Sequence, residues 1–150
     1  NAIHALKYKG VRALAPILAE RLAQALAQSD FEAQAIVALP LHPERLAQRG
    51  YNQAELLARA LAARLTLPYL PDAAQRIRPT APQVGLNRQE RAANVANAFR
   101  ADPERVRGLR LLLVDDVITT GATMLACAEA LRTAGAGAIC GLSVSVARLH

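Results

Sequence analysis

Tryptophan is absent from this 150-residue chain, and all aromatic residues together supply only 3% of it. That scarcity leaves few platforms on which the bases of a single nucleic-acid strand could stack. Cysteine is nearly as rare. Cys127 and Cys140 are the only two, thirteen positions apart, too few for a zinc ribbon and not spaced as a CxxC redox pair. They are expected to be small buried apolar residues in a reducing cytoplasm. No apolar run approaches the ~20 residues that span a bilayer. The N-terminus also lacks the basic stretch and apolar run of a secretory signal. The three histidines show no metal-ligand spacing; His4 and His150 read as terminal and His42 as a loop residue. The first residue is Asn1 rather than Met, which suggests a processed piece of a longer chain. Two phosphate-binding strings are missing too: neither GxxxxGK[ST] nor GxGxxG occurs.

What is present suits one α/β domain with one core, spanning residues 1–150. Hydrophobic residues, largely Ala and Leu, make up 53%, which excludes a disordered chain. The net charge is +6, and its location says more than its size. Residues 40–110 hold 12 of the 18 Lys and Arg but 6 of the 12 Asp and Glu, so the whole excess lies in the middle, as arginine. A phosphorylated small molecule or a nucleic-acid backbone would suit such a surface.

The periodicities alternate between helix and strand. Leu14, Ile17, Leu18, Leu22 and Leu26 recur at steps of three and four, predicting an amphipathic helix after Lys7-Tyr8-Lys9-Gly10 with Pro16 in its first turn. Ala35 to Leu39 reads as a buried strand ended by Pro40. A loop over Leu41 to Gly50 and a helix over Asn52 to Leu65 follow. That helix is capped by Asn52, with Leu56, Leu57, Leu61 and Leu65 facing inward. From Pro68 to Arg91 regular pattern fades into a proline-punctuated basic stretch, the kind of long loop that is often functional. A short helix over Leu86 to Asn97 and a short strand over Ala98 to Arg100 are expected next. Gly108 introduces the strongest strand, Leu111 to Val114. A helix over Gly121 to Ala134, closed by Gly135, and a strand over Ala138 to Ala147 complete a mainly parallel sheet flanked by helices.

The chemistry concentrates in Leu111 to Thr123, LLLVDDVITTGAT. A buried strand delivers Asp115 and Asp116 to its carboxyl end, where ligands of open α/β sheets bind. A hydroxyl-rich turn with one glycine follows, and then a helix whose N-terminus favours a dianionic phosphate. Carboxylates beside that phosphate would accept hydrogen bonds from sugar hydroxyls. Taken singly, each Thr is equally an ordinary cap and the Asp pair merely solvated; the joint order is what points to a site.

This segment resembles the motif that binds 5-phosphoribosyl-1-pyrophosphate (PRPP) in type I phosphoribosyltransferases. A wider resemblance is to the ComF/GntX-like (competence protein F) family. It is carried by Lys7 to Gly10, Leu39-Pro40, Arg49-Gly50-Tyr51-Asn52-Gln53, Thr80 to Gln83, and the run Leu86, Arg88, Arg91, Asn94, Ala98 and Phe99. The resemblance implies the type I phosphoribosyltransferase fold, with Asp115 and Asp116 on the ribose 2′ and 3′ hydroxyls. It gives Thr119, Thr120, Gly121, Ala122 and Thr123 to the 5′-phosphate, and Arg49-Gly50 to pyrophosphate. The stretch from Thr80 to Arg91 would close over substrate, with Arg88 and Arg91 joining the Asp pair as candidate catalytic residues. Mg²⁺ would arrive on the pyrophosphate rather than on protein ligands.

The implied reaction is substitution at the anomeric carbon by an unidentified nitrogenous acceptor, with pyrophosphate leaving. Arg49, Arg88 and Arg91, with Lys7 or Lys9, would neutralise the leaving group, and loop closure would exclude water. Thr119 stands where enzymes acting on 6-oxopurines carry an acidic residue, which argues against hypoxanthine or guanine. The cysteine-rich zinc module that precedes this domain in ComF-like proteins is not in this chain. The alternative is a non-catalytic PRPP sensor or DNA-uptake accessory that binds nucleic acid. A cytoplasmic location is expected, and the oligomeric state, a homodimer included, is left open.

Overall fold

The computed structural model describes residues 2–78, 87, 89–90, 97–118 and 121–146. Its centre is a three-stranded parallel sheet in the order β1 (Ala35–Ala38), β4 (Arg110–Ile118), β5 (Ala138–Val146). Ala35 to Ala38 pair with Leu111 to Val114, and β4 pairs with β5 from Arg110↔Ala138 through Ile118↔Val146. The outer edge of β1 is met by the following chain, with Ile36 donating to the Pro68 carbonyl at 3.0 Å and Leu70 donating to that of Ile36 at 2.9 Å. Two short antiparallel strands, β2 (Ala74–Arg76) and β3 (Phe99–Ala101), form a separate ribbon.

Alternation along β4 divides the core into two layers. Leu112 and Val114 pack with Ile36 and Ala38 against α1 (Ala2–Ala27) and α3 (Gln53–Leu65). Leu111 and Leu113 pack with Val37 and Leu39 against the helix that follows β4, here α5 (Ala122–Thr133), and against Ala74 and Phe99 of the ribbon. Two shorter helices, α2 (Pro43–Arg49) and α4 (Pro103–Val106), lie in the connections.

Several expectations need correction. Helix α1 begins at Ala2, so it contains Lys7 to Gly10, and Pro16 sits in its interior. Pro16 is exposed, which leaves the carbonyl that lost its N–H partner accessible to water, while packing on either side holds the helix together. Its buried face is Ala15, Ala19, Leu22 and Ala23, whereas Leu14 and Ile17 are 52% and 58% exposed. Alanines decide that face. Ala54, Ala58 and Ala62 are buried in the same cluster on α3, and small residues on both helices permit the close approach that larger leucines would prevent. The stretch over Leu41 to Gly50 is not all loop. His42 caps α2 by accepting the Glu44 N–H on Nδ1 at 3.2 Å, and Pro43 supplies a preset first turn. The basic stretch contains strand β2, which the fading pattern concealed. Cys127 is buried as expected, but Cys140 is half-buried. The expected helix over Leu86 to Asn97 falls mostly outside the described residues, as do Thr80 to Gln83. Helix α3 matches its prediction in extent and cap, with the Asn52 side chain accepting the Ala54 N–H at 3.0 Å. Leu57 and Leu61 are buried and Leu65 packs half-buried against the core, whereas Leu56 is half-buried outside that cluster.

Candidate phosphoribosyl site

Strand β1 stops pairing at Ala38↔Val114, but β4 runs four residues further with only β5 beside it. Asp115 and Asp116 are the first residues past that point, so they lie within the extended strand and not at its end, as the sequence pattern suggested. The helix α3 downstream of β1 covers one face of the sheet, and α5, which follows β4, covers the other. Chain direction therefore diverges between β1 and β4, the kind of crevice in which open α/β sheets bind ligands.

The segment after β1 is tied back to the carboxyl end of that strand. Asn52 anchors it by donating from Nδ2 to the Leu39 carbonyl at 3.1 Å. Gly50 closes α2 with φ +89° and donates to the Leu46 carbonyl at 2.7 Å. Arg49, half-buried, and Gly50 are thereby held in the turn that Asn52 ties to the carboxyl end of β1. On the other side Gly121, at φ +84°, starts α5 without a side-chain cap, and Ala122 and Thr123 form its half-buried first turn. Thr119, Thr120, Arg88 and Arg91 lie outside the described residues. Lys9 is exposed on α1.

The electrostatics centre on Asp115. Its Oδ1 accepts the Asp116 backbone N–H at 2.8 Å. Burial pushes its carboxyl up to about 7, with a further push from the neighbouring Asp116 carboxyl and an opposing pull from Arg76. Cys127 on α5 is fully buried, and burial pushes its thiol up to about 12. Arg76 is the residue that the motif reading did not single out. It is only 8% exposed, and its guanidinium lies 4.8 Å from the centre of the Phe99 ring. Strand β2 turns Arg76 to the same side as Ala74, an alternation too short to be read before β3 pairs with it.

Residues 51–150 match the phosphoribosyl transferase domain model. The chain belongs to this family. Among curated relatives it is 39% identical over 104 residues to competence protein F of Haemophilus influenzae, covering 68% of this chain and 45% of that protein. It is 34% identical over 142 residues to the DNA utilization protein YhgH of Salmonella typhi, covering 91% of this chain and 62% of the relative. The chain thus spans about half to three-fifths of these relatives' length. The fold is shared with glutamine PRPP amidotransferase from B. subtilis, at TM-score 0.57 and 22% identity over 90% of this chain and 26% of that one. Both the family and the type I phosphoribosyltransferase fold expected from the sequence are therefore established. Among the described residues no helix is long and apolar enough to cross a membrane.

Proposed function

We propose that this phosphoribosyltransferase-family chain binds Mg-PRPP at the crevice between β1 and β4 and transfers the phosphoribosyl group to a nitrogenous acceptor. The observation that carries this reading is the position of Asp115 and Asp116, immediately beyond the last β1–β4 pair and upstream of the Gly121 turn. Their carboxylates would accept hydrogen bonds from the ribose 2′ and 3′ hydroxyls. Thr119, Thr120, Gly121, Ala122 and Thr123 would cradle the 5′-phosphate at the start of α5. Arg49-Gly50 would contact the pyrophosphate, and Mg²⁺ would enter as part of the substrate.

In the transfer the anomeric C–O bond to pyrophosphate breaks, the C–N bond to the acceptor forms, and the acceptor nitrogen loses a proton. Positive charge grows on the ribose and negative charge on the leaving group. The Asp pair lies on the ribose side, while Arg49, Arg88 and Arg91 would meet the leaving group. The names of the relatives, competence protein F and DNA utilization protein, favour one second reading: a PRPP-sensing or nucleic-acid-binding accessory without turnover.

Calorimetry with Mg-PRPP tests both readings at their shared step. Binding is expected, and it should be lost in the Asp115→Ala, Asp116→Ala double variant; no binding, or binding untouched by that change, overturns the proposal. Pyrophosphate release across a panel of nucleobases and amines then separates enzyme from sensor. A salt-sensitive DNA shift that survives the Asp changes and weakens without Arg88 and Arg91 supports nucleic-acid contact.

A further inference from the structure

Burying a guanidinium is costly unless a partner compensates it, and a Met or Leu would pack against Phe99 without that cost. Arg76 nevertheless occupies this position. It makes no ion pair among the described residues, and its Nε, buried from water, donates no hydrogen bond. The Phe99 ring at 4.8 Å covers one face of the guanidinium and fixes where its charge sits. Among the described residues its electrostatic neighbours are few. Alternation along β4 puts Asp115 on the face of Leu111 and Leu113, against which Ala74, Phe99 and Cys127 pack, and Arg76 lies on the same side of β2 as Ala74. Burial works against the charge of Arg76, as does Arg45 of α2, while Asp115 favours it.

We infer that Arg76 is a positioning residue for Asp115: its buried, stacked guanidinium supplies the positive field that lets Asp115 meet the sugar as a carboxylate. The inference rests on the ribose role proposed for Asp115. Among the described residues the groups facing Asp115 are Asp116 on its own strand, Arg76 on β2 and Cys127 on α5, with Ser143 its register partner on β5. Among them Asp116 opposes ionisation and Arg76 is the group that favours it by its charge. Cys127, pushed up to about 12, stays neutral near neutral pH and adds no charge of its own. The influence is reciprocal, since Asp115 also favours the charged form of Arg76. Because no direct ion pair ties the two, the Asp115 oxygens are not consumed by the cation.

The test is a carboxyl ¹³C NMR titration of Asp115 in the full chain, with thermal unfolding as the check on folding. The midpoint should lie near 7 in the parent. In Arg76→Met it should rise by roughly one pH unit, the effect of removing a nearby opposite charge. In Arg76→Lys, which keeps the charge, it should return most of the way. A second readout is ribose 5-phosphate affinity against pH, whose midpoint should move with the titration. Exposed Arg100→Met should move neither. An unchanged midpoint in a folded Arg76→Met chain overturns the inference. If that variant does not fold, Arg76→Gln against Arg76→Lys makes the same comparison, and equal midpoints overturn it. Failure of the parent to bind ribose 5-phosphate at any pH would sink the PRPP reading, while the NMR titration would still decide the link between Arg76 and Asp115.

Discussion

The backbone N–H of Asp116 donates to Oδ1 of Asp115 at 2.8 Å, so one residue of the pair is held by the next. This contact favours the ionised form of Asp115, yet burial and the second carboxyl outweigh it. Asp115 therefore enters the folded state with a proton affinity well above that of an ordinary aspartate.

Asp115 titrates near 7 when folded and near its ordinary 3.8 when unfolded, so the folded state holds the extra proton between those values. The stabilisation from this group is complete below about pH 4 and is lost as pH rises through 7. At most a few kcal/mol is involved. Urea unfolding from pH 5 to 8 should show this component falling, against a flatter profile in Asp115→Asn.

Asp115→Asn should also separate stability from binding. A neutral amide removes the burial cost of a charge, so the variant is expected to be as stable as the parent or more so at pH 8. It should weaken PRPP binding at the same pH, because the amide nitrogen cannot accept a sugar hydroxyl's hydrogen bond. Thermal unfolding and calorimetry on one sample would check both, and parallel losses would count against the assignment.

Much of this arrangement was legible in the chain itself. The apolar run before Asp115, the capping Asn52 and Gly121 ahead of a helix all express local rules, and local rules survive folding. What escaped notice depended on partners remote in sequence. Leu14 and Ile17 matched a helical period, but the opposing Ala54, Ala58 and Ala62 selected a different, alanine-lined face. Three residues, Ala74 to Arg76, were too few to register as a strand before their pairing with β3 defined it. The reach of β4 through the Asp pair depended on β5, since β1 had already ended.

The alanine seam gives a sharp packing test. Ala58 is fully buried on α3 in the cluster shared with α1. Ala58→Leu should force the helices apart and cost about 1–3 kcal/mol, whereas Ile17→Ala, at a position 58% exposed, should stay within about 0.5 kcal/mol. Chemical denaturation of the two variants would show the contrast.

Asn52 links stability to the site through two bonds, one capping α3 and one holding the Leu39 carbonyl at 3.1 Å. Asn52→Ala should cost about 1–2 kcal/mol from the lost cap and the unsatisfied carbonyl. Asn52→Asp keeps the acceptor for Ala54 but not the donor for Leu39, so it should recover the cap alone. If the anchor also holds Arg49-Gly50 where pyrophosphate binds, both variants will weaken pyrophosphate binding while ribose 5-phosphate affinity changes little. Equal losses for the two ligands would mean that Asn52 supports the fold as a whole and not that turn.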